Sequence, residues 1–257
     1  MIQGRRRIAL VTGGSRGIGA ATALALAAHG YDVAFTYRNK QMRADRVAAR
    51  ITALGVRALA AQCDITHPDE MAALYVGIAE WSGALDALIL NASGGMERDL
   101  VAADPDYPIR INRDAQIAAL DGALPLMTDG GVVVFVTSHW AHLYGQVEQL
   151  PAYEPVAESK HAGEVALRAR VDEMASCGIR FIVVTGDLIE GTITPKLLER
   201  TSPGLEQDRR AALGPLPTAQ EMGQVIADAA VDTSLPSGHI IVIGAPLASL
   251  LTPPKGD

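Results

Sequence analysis

A glycine-rich turn near the start of the chain has the residue types that bind a phosphate group. The apolar run Ile8–Thr12 leads directly into this turn, and apolar residues at helical spacing follow it. The turn consists of Gly13, Gly14, Ser15, Arg16, Gly17, Ile18 and Gly19. Glycine lets the backbone approach an anion, and the N–H groups and dipole of a helix N-terminus stabilise its charge. The spacing is Gly-xxx-Gly-x-Gly rather than the commoner Gly-x-Gly-xx-Gly, and we expect the turn to bind a pyrophosphate.

Short strands and helices alternate along the chain and must position this turn. The predicted strands are nearly continuous apolar runs, which are typical of a parallel sheet covered on both faces. They are Ile8–Thr12, Asp32–Tyr37, Val56–Gln62, Ala84–Leu90, Val132–Thr137, Ile179–Thr185 and His239–Ile243. The predicted helices have apolar residues at helical spacing. They are Ala20–His29, Met42–Leu54, Glu70–Trp81, Asp114–Met127, Val156–Cys177 and Ala219–Ala230.

The alternation predicts a single α/β domain over residues 1–257. We expect a Rossmann-like, doubly wound parallel sheet of about seven strands. The segment 186–217 is different, because it is rich in Gly, Pro and charge and is too long for an ordinary connection. It predicts a partly helical lid over the carboxyl edge of the sheet.

Composition excludes several classes of function. The chain of 257 residues is 49% hydrophobic, 4% aromatic and 20% charged, with a net charge of -7. The negative charge and the scarcity of aromatic residues argue against a nucleic-acid partner. The apolar runs are too short for a membrane span. Two cysteines, Cys63 and Cys177, cannot form a disulfide framework, and we expect both to be reduced core thiols of a cytoplasmic protein.

The motifs resemble those of the short-chain dehydrogenase/reductase family over almost the whole chain. Thr12 and the three spaced glycines match that family's cofactor fingerprint. The resemblance implies a glycine near the nicotinamide at Gly186, with Thr185 in place of the usual proline, and an Asn-Ala-Gly element at Asn91, with Ser93 in place of its glycine. The cofactor-binding residues predicted from this resemblance, and from the charges discussed next, are Gly13, Ser15, Arg16, Gly17, Ile18, Gly19, Tyr37, Arg38, Asp64, Ile65, Asn91, Ala92, Ser93, Thr137, Lys160, Gly186 and Leu188.

The end of the second strand indicates which nicotinamide cofactor binds. A site specific for NAD places a carboxylate there to bind the ribose hydroxyls. This chain has Tyr37, Arg38, Asn39 and Lys40 instead. A guanidinium pairs well with phosphate oxygens, so Arg38 favours the 2′-phosphate of NADP(H), and Arg16 is well placed to add a second cation.

The catalytic motif of the family is incomplete. The resemblance implies a serine that holds the carbonyl at Ser138, a helix asparagine that holds a relay water at Asn112, and a lysine at Lys160. The family's proton-donating tyrosine stands four residues before its lysine, one helical turn away. Here that position is Val156, and the nearest tyrosine, Tyr153, precedes Pro155, which is expected at the first helical position.

Four hypotheses for the proton donor remain open. Tyr153 supplies the proton from outside the helix, or another group beside Ser138 does so. The residues expected to line the substrate mouth are His139, Trp140, His142 and Tyr144. Alternatively, a hydroxyl of the substrate next to its ketone assists. In the fourth hypothesis the protein binds NADP(H) without catalysis, as a sensor or regulator.

These observations favour an NADPH-dependent ketoreductase acting on a small-molecule ketone. Some antibiotic-tailoring members of the family lack the tyrosine, including one that acts on an angucycline of the simocyclinone type. The resemblance therefore suggests an angucycline-like polyketide in antibiotic biosynthesis. An epimerase or dehydratase on the same scaffold is a further alternative. The resemblance also implies a homo-oligomer, either a dimer or a tetramer.

Overall fold

Seven parallel strands form one sheet in the computed structural model, which describes residues 5–251. The strands are β1 (Ile8–Val11), β2 (Asp32–Tyr37), β3 (Ala58–Gln62), β4 (Leu85–Leu90), β5 (Met127–Ser138), β6 (Arg180–Gly186) and β7 (Ile240–Ile243). Their order is β3-β2-β1-β4-β5-β6-β7. The predicted Rossmann-like α/β fold is confirmed. The strand order reverses between β1 and β4, and ligands of such sheets bind in the crevice at the carboxyl ends of these strands.

Helices cover both faces of the sheet. They are α1 (Gly17–Ala28), α2 (Gln41–Thr52), α3 (Pro68–Ser82), α4 (Arg98–Ala103), α5 (Tyr107–Ile109), α6 (Ala115–Ala123), α7 (His139–His142), α8 (Glu154–Arg168), α9 (Val171–Ser176), α10 (Ile193–Glu199), α11 (Leu205–Leu213), α12 (Ala219–Val231) and α13 (Ala248–Leu251). A π-helical segment, Arg110–Asp114, joins α5 to α6, and a 3-10 turn, Leu124–Leu126, follows α6.

The core consists of two apolar layers separated by the sheet. Along β1, Ala9 and Val11 belong to one layer, whereas Ile8 and Leu10 belong to the other. Side chains alternate between the faces of a strand, and both faces are buried here. A third apolar cluster lies outside these layers. Its buried members are Trp140, Ala141, Tyr153, Val156, Ala157, Leu188, Leu198 and Leu216.

Two predicted helices are divided in the structure. The segment Asp114–Met127 is interrupted because Pro125 has no N–H group with which to continue the α-helix. The segment Val156–Cys177 is divided at Ala169 and Arg170. The acidic residues in the first turn of α9 favour a new helix N-terminus there. Helix α8 also begins at Glu154, two residues before the predicted range, so Pro155 is its second residue and not its first.

Three other predictions concern the lid, the cysteines and membrane spans. The segment predicted as a lid contains α10 and α11. Cys63 is buried, but Cys177 is exposed just after α9, so the prediction of a core thiol is wrong there. Within residues 5–251, no helix is both long enough and apolar enough to cross a bilayer.

Candidate active site

The glycine-rich turn forms a cradle at the N-terminus of α1. Gly13 has a φ of +70°, a conformation that favours glycine. A Cβ atom on Gly14 would lie 2.5 Å from Cβ of Phe35, and one on Gly19 would lie 2.3 Å from the carbonyl oxygen of Gly13. No side chain caps α1, and its first turn has no acidic residue. The N–H groups and dipole of α1 therefore remain available to an anion, which fits a dinucleotide pyrophosphate.

Thr12 connects the carboxyl ends of β1 and β4. Its hydroxyl accepts hydrogen bonds from the backbone N–H groups of Asn91, at 2.9 Å, and Ala92, at 3.0 Å. The Asn91 side chain donates in turn to the carbonyl oxygen of Thr12, at 2.9 Å. These bonds fix the segment after β4 beside the cradle, at the point where the strand order reverses.

Thr137 supplies a second observation that fits a bound dinucleotide. It lies near the end of β5 and lines the main cavity. Its buried Oγ1 has no hydrogen-bond partner within the part of the chain that the structure describes. A buried polar atom without a partner is costly. A ligand that hydrogen-bonds to Thr137 would remove this cost.

The main cavity brings together three of the predicted catalytic residues. Its volume is about 970 Å³, and Ser138, Tyr153 and Lys160 all line it. The Tyr153 hydroxyl donates to Oγ of Ser138 at 3.0 Å. The Lys160 ammonium donates to the carbonyl oxygen of Val136 at 3.1 Å. Tyr153 immediately precedes the first residue of α8, so it reaches Ser138 from a position seven residues before Lys160.

Burial changes the pKa values of two of these groups. It raises the pKa of the Tyr153 phenol, and the hydrogen bond to Ser138 opposes this shift only in part. It lowers the pKa of the Lys160 ammonium to about 8, with a smaller opposing effect from Glu164. At neutral pH, Tyr153 is therefore a neutral phenol that can donate a proton, and Lys160 carries a positive charge.

Asn112 lies in the π-helical segment, behind the cavity. Its side-chain amide donates to the carbonyl oxygen of Gly94, at 2.9 Å, and to Oγ of Ser159, at 3.0 Å, and accepts from Oγ of Ser93 at 2.8 Å. A Cβ atom on Gly163 would lie 2.1 Å from the carbonyl oxygen of Asn112. Glycine at this position lets α8 pack closely against the π-helical segment. Such π-helical turns occur frequently at functional sites.

Arg38 lines a second cavity, of about 390 Å³, at the end of β2. Its guanidinium donates to the Tyr107 hydroxyl at 2.9 Å and lies 4.0 Å from the Asp64 carboxylate. The backbone carbonyl of Arg38 accepts a hydrogen bond from Gln62 at 3.2 Å. Asn39 also lines this cavity. The lining of this cavity therefore combines the partly exposed guanidinium of Arg38 with the amides of Asn39 and Gln62 and with the carboxylates of Asp64 and Glu70.

The structure distributes the other predicted residues over the same crevice. The main cavity is lined by Arg16, Ile18, Asn91, Ser93, Thr137, Ser138, Tyr153, Lys160, Gly186 and Leu188. The second cavity is lined by Arg38 and Asp64. Eight predicted residues line neither of these cavities, namely Gly13, Ser15, Gly17, Gly19, Tyr37, Ile65, Ala92 and Asn112.

The histidines after β5 do not lie where the sequence analysis placed them. His139 is fully buried, and its ring nitrogens contact Oγ1 of Thr185 at 3.0 Å and the carbonyl oxygen of Ala245 at 2.9 Å. Burial lowers its pKa. His142 pairs with Glu164 at 2.9 Å. The cause is α7, which starts at His139 directly after Ser138 and directs successive side chains to different sides.

Among the four residues expected at the substrate mouth, Trp140 lines the main cavity. The described lining of that cavity does not include His139, His142 or Tyr144. Tyr144 instead contacts the ring of His161. The prediction of a histidine at the substrate mouth is therefore wrong for this structure.

Residues between β6 and α12 complete the site, and sequence reasoning identified Leu188 and otherwise only the segment as a whole. Asp187 lines the cavity, and its carboxylate is paired with Arg209 of α11 at 2.5 Å. The Arg209 guanidinium also lies over the Trp140 ring, 5.2 Å from its centre. Val156 lines the cavity as well. Spacing relative to Lys160 identified Val156, whereas no local signal could have paired Asp187 with Arg209.

Comparisons with known proteins agree with this arrangement. The family model described as short chain dehydrogenase matches residues 7–201. The enzyme 1-cyclohexenylcarbonyl-CoA reductase of Streptomyces collinus is 31% identical over 189 residues, which cover 72% of this chain and 66% of that protein. The match thus spans just under two thirds of that relative's length.

Two solved structures extend the similarity to nearly the whole chain. A short chain dehydrogenase from Burkholderia cenocepacia J2315, solved in complex with NADP, is 31% identical, with a TM-score of 0.77 and coverage of 96% of this chain and 99% of that chain. The promiscuous reductase LugOII, which catalyses keto-reduction at C1 during lugdunomycin biosynthesis, is 26% identical. Its TM-score is 0.79, with coverage of 95% of this chain and 98% of that chain. The chain therefore belongs to the short-chain dehydrogenase/reductase family of oxidoreductases.

Proposed function

We propose that this protein is an NADPH-dependent ketoreductase in which Tyr153 supplies the proton through Ser138. The observation that carries the proposal is the 3.0 Å hydrogen bond from the Tyr153 hydroxyl to Oγ of Ser138, in the wall of a cavity that Lys160 also lines. Of the four hypotheses for the proton donor, this geometry supports the first.

Ser138 has its hydroxyl hydrogen available as a donor to a substrate. Its Oγ accepts from the Tyr153 hydroxyl at 3.0 Å and from the backbone N–H of Ala141 at 3.3 Å. A serine hydroxyl has two acceptor sites and one donor. Because both acceptor sites are used, the O–H of Ser138 is free to donate to a carbonyl oxygen in the cavity.

The proton then moves along two hydrogen bonds. As negative charge develops on the substrate oxygen, Ser138 donates its proton to that oxygen and receives the proton of Tyr153. The pKa of Tyr153 is raised by burial, which keeps the phenol protonated until an alkoxide, a much stronger base, develops. Lys160, which lines the same cavity, would bind the nicotinamide ribose, as the resemblance to the family implies.

The residues of the crevice fit NADP(H). The cradle would hold the pyrophosphate, and Arg38 would pair with a 2′-phosphate in the second cavity, where β2 ends without a carboxylate. When bound, the cofactor would supply the hydride. The related protein of Burkholderia cenocepacia was solved with NADP, which supports this choice of cofactor.

We propose an angucycline-like polyketide as the substrate class. Much of the wall of the main cavity is apolar, as suits a ring system, and the part of its volume of about 970 Å³ beside Arg16, Lys160 and Gly186 would be taken by the cofactor. The apolar wall includes Met96, Val101, Trp140, Ile189, Ile193 and Leu197. LugOII, a structural relative, carries out keto-reduction in a biosynthetic pathway, which supports a ketone as the reacting group.

Turnover tests the proposal. The wild type, Tyr153→Phe and Lys160→Ala are each incubated with NADPH and a panel of quinonoid and polycyclic ketones, and the loss of NADPH absorbance is recorded. We expect the wild type to oxidise NADPH and both variants to lose at least a hundredfold in kcat, the lower range for a positioned proton donor. Tyr144→Phe is the matched control, because Tyr144 does not line the cavity.

Two other outcomes would contradict the proposal. Turnover that survives Tyr153→Phe but not Lys160→Ala would favour proton donation assisted by the substrate. Tight binding of NADPH without turnover on any ketone would favour the non-catalytic, NADP(H)-binding protein of the same fold.

A further inference from the structure

Two arginines line the main cavity from segments outside the glycine-rich turn. Arg98 is the first residue of α4, and Arg200 follows the last residue of α10 in the lid. Both side chains are exposed. Neither has a hydrogen bond, an ion pair or a ring contact within residues 5–251. Their guanidinium groups are therefore free to bind a ligand that enters this cavity.

The acidic residues that line the same cavity have other partners. One carboxylate oxygen of Glu97 accepts the backbone N–H of Gly95 at 2.9 Å. The carboxylate of Asp187 accepts the N–H of Leu188 at 2.7 Å and is paired with Arg209 at 2.5 Å. A ligand with an anionic group would therefore meet Arg98 and Arg200 as available cations, although the whole chain has a net charge of -7.

The cavity wall adjoining the two arginines is mainly apolar. Met96 and Val101 flank Arg98 in the sequence, and Ile193 and Leu197 lie in the helix that ends at Arg200. The cofactor has separate cationic and backbone groups for its phosphates, as described above. Arg98 and Arg200 are thus not needed for the cofactor and are available to the substrate.

We infer that the substrate is an apolar ketone that carries an acidic group, and that Arg98 and Arg200 bind this group. A guanidinium donates two parallel hydrogen bonds to a carboxylate or a phosphate, so both anions fit. A carboxylate on the ring system and the phosphates of a thioester carrier group are two sources of this chemistry. The inference rests on the proposed ketoreductase function and assigns the class of its substrate.

A pair of ketones that differ only in charge tests the inference. Tetralone carboxylate and its methyl ester are supplied with NADPH to the wild type, Arg98→Ala, Arg200→Ala and Arg46→Ala. Arg46 is an exposed residue of α2 outside both cavities, so its replacement removes the same charge elsewhere. Acetoacetyl-CoA, compared with a short acetoacetyl thioester, tests the phosphate source.

We expect kcat/KM of the wild type to favour the anionic member of at least one pair by about tenfold, as one charge-assisted hydrogen bond allows. Arg98→Ala and Arg200→Ala should remove this preference through KM, without changing the neutral member or the Kd for NADPH. Arg46→Ala should retain the preference. The preference should also weaken at high salt, because exposed charges are screened.

Three results would overturn the inference. The first is equal use of the anionic and neutral members of both pairs by the wild type. The second is an unchanged preference in both cavity variants. The third is a loss of NADPH affinity in those variants, which would assign the arginines to the cofactor.

If no ketone is reduced at all, the proposed function fails and the inference is decided by calorimetry on the NADPH complex. Binding of tetralone carboxylate or acetoacetyl-CoA to the wild type that is weakened by Arg200→Ala supports the inference. Binding that is absent, or equal in both proteins, overturns it.

Discussion

Replacing Lys160 by Met should stabilise the protein without its cofactor while abolishing reduction. Lys160 is a charged side chain buried in an active-site wall, and burial lowers the pKa of its ammonium from 10.5 to about 8. That difference corresponds to about 3 kcal/mol by which burial disfavours the charged form at neutral pH. The hydrogen bond to Val136 would be lost, at a cost of about 1 kcal/mol. The net expected gain at pH 7 is about 2 kcal/mol.

The stabilisation gained by Lys160→Met should decrease as the pH rises. An unfolded lysine keeps its proton up to about pH 10.5, whereas native Lys160 loses it near pH 8. The unfolded wild type therefore binds more protons between these values, and the wild-type free energy of unfolding rises with pH in that window. The advantage of Lys160→Met should be complete below pH 8 and should disappear as the pH approaches 10.5.

Urea unfolding at pH 7 and pH 10, followed by tryptophan fluorescence, measures this difference. Lys196→Met, on the exposed side of α10, is the matched control. It should change the free energy of unfolding by no more than about 0.5 kcal/mol at either pH. Equal stabilities of the wild type and Lys160→Met at pH 7, or an advantage of Met that grows with pH, would refute the reasoning.

Three further substitutions probe other contacts. Arg38→Ala should weaken NADPH binding about tenfold or more and leave NADH binding unchanged, measured by calorimetry; equal effects on both would contradict the choice of NADP(H). Gly163→Ala should destabilise the fold by about 1–3 kcal/mol, because the added Cβ would lie 2.1 Å from a backbone carbonyl oxygen. Gly77→Ala, whose added Cβ would have no other atom within 4 Å, should stabilise the fold instead, and a similar change in unfolding free energy for both variants would contradict this. Arg209→Met should lower the unfolding free energy by about 3–5 kcal/mol, because it leaves the buried Asp187 unpaired; a loss below 1 kcal/mol would contradict it.

Much of the fold follows from local pattern in the sequence. Buried parallel strands are continuously apolar, and the turns between them contain glycines whose positive φ values end the helices, as at Gly83 and Gly178. The alternation of strand and helix then predicts a parallel, doubly wound sheet. The helix breaks at Pro125 and Arg170 were missed because apolar spacing continues across them. The single-domain and homo-oligomer expectations stay predictions.

The site was only partly predictable, for a physical reason. Residues that end parallel strands share one edge of the sheet, so Ser138 and Thr137, which the resemblance to the family implied, could be expected at that edge. Tyr153 could not, because its contact with Ser138 depends on the path of the loop before α8. The same holds for His139, whose direction depends on one short helix. Arg98 and Arg200 line one cavity only because the segment between β6 and α12 folds over the sheet edge.

A cycle of Ser138→Ala, Tyr153→Phe and the double variant tests the proton relay most directly. Its readout is the single-turnover rate constant for NADPH oxidation at saturating ketone. Residues that act as one unit give losses that do not add. The relay predicts that each single variant loses at least a hundredfold and that the double variant is no slower than the slower single variant. A wild-type rate in Tyr153→Phe, or losses that multiply in the double variant, would contradict it.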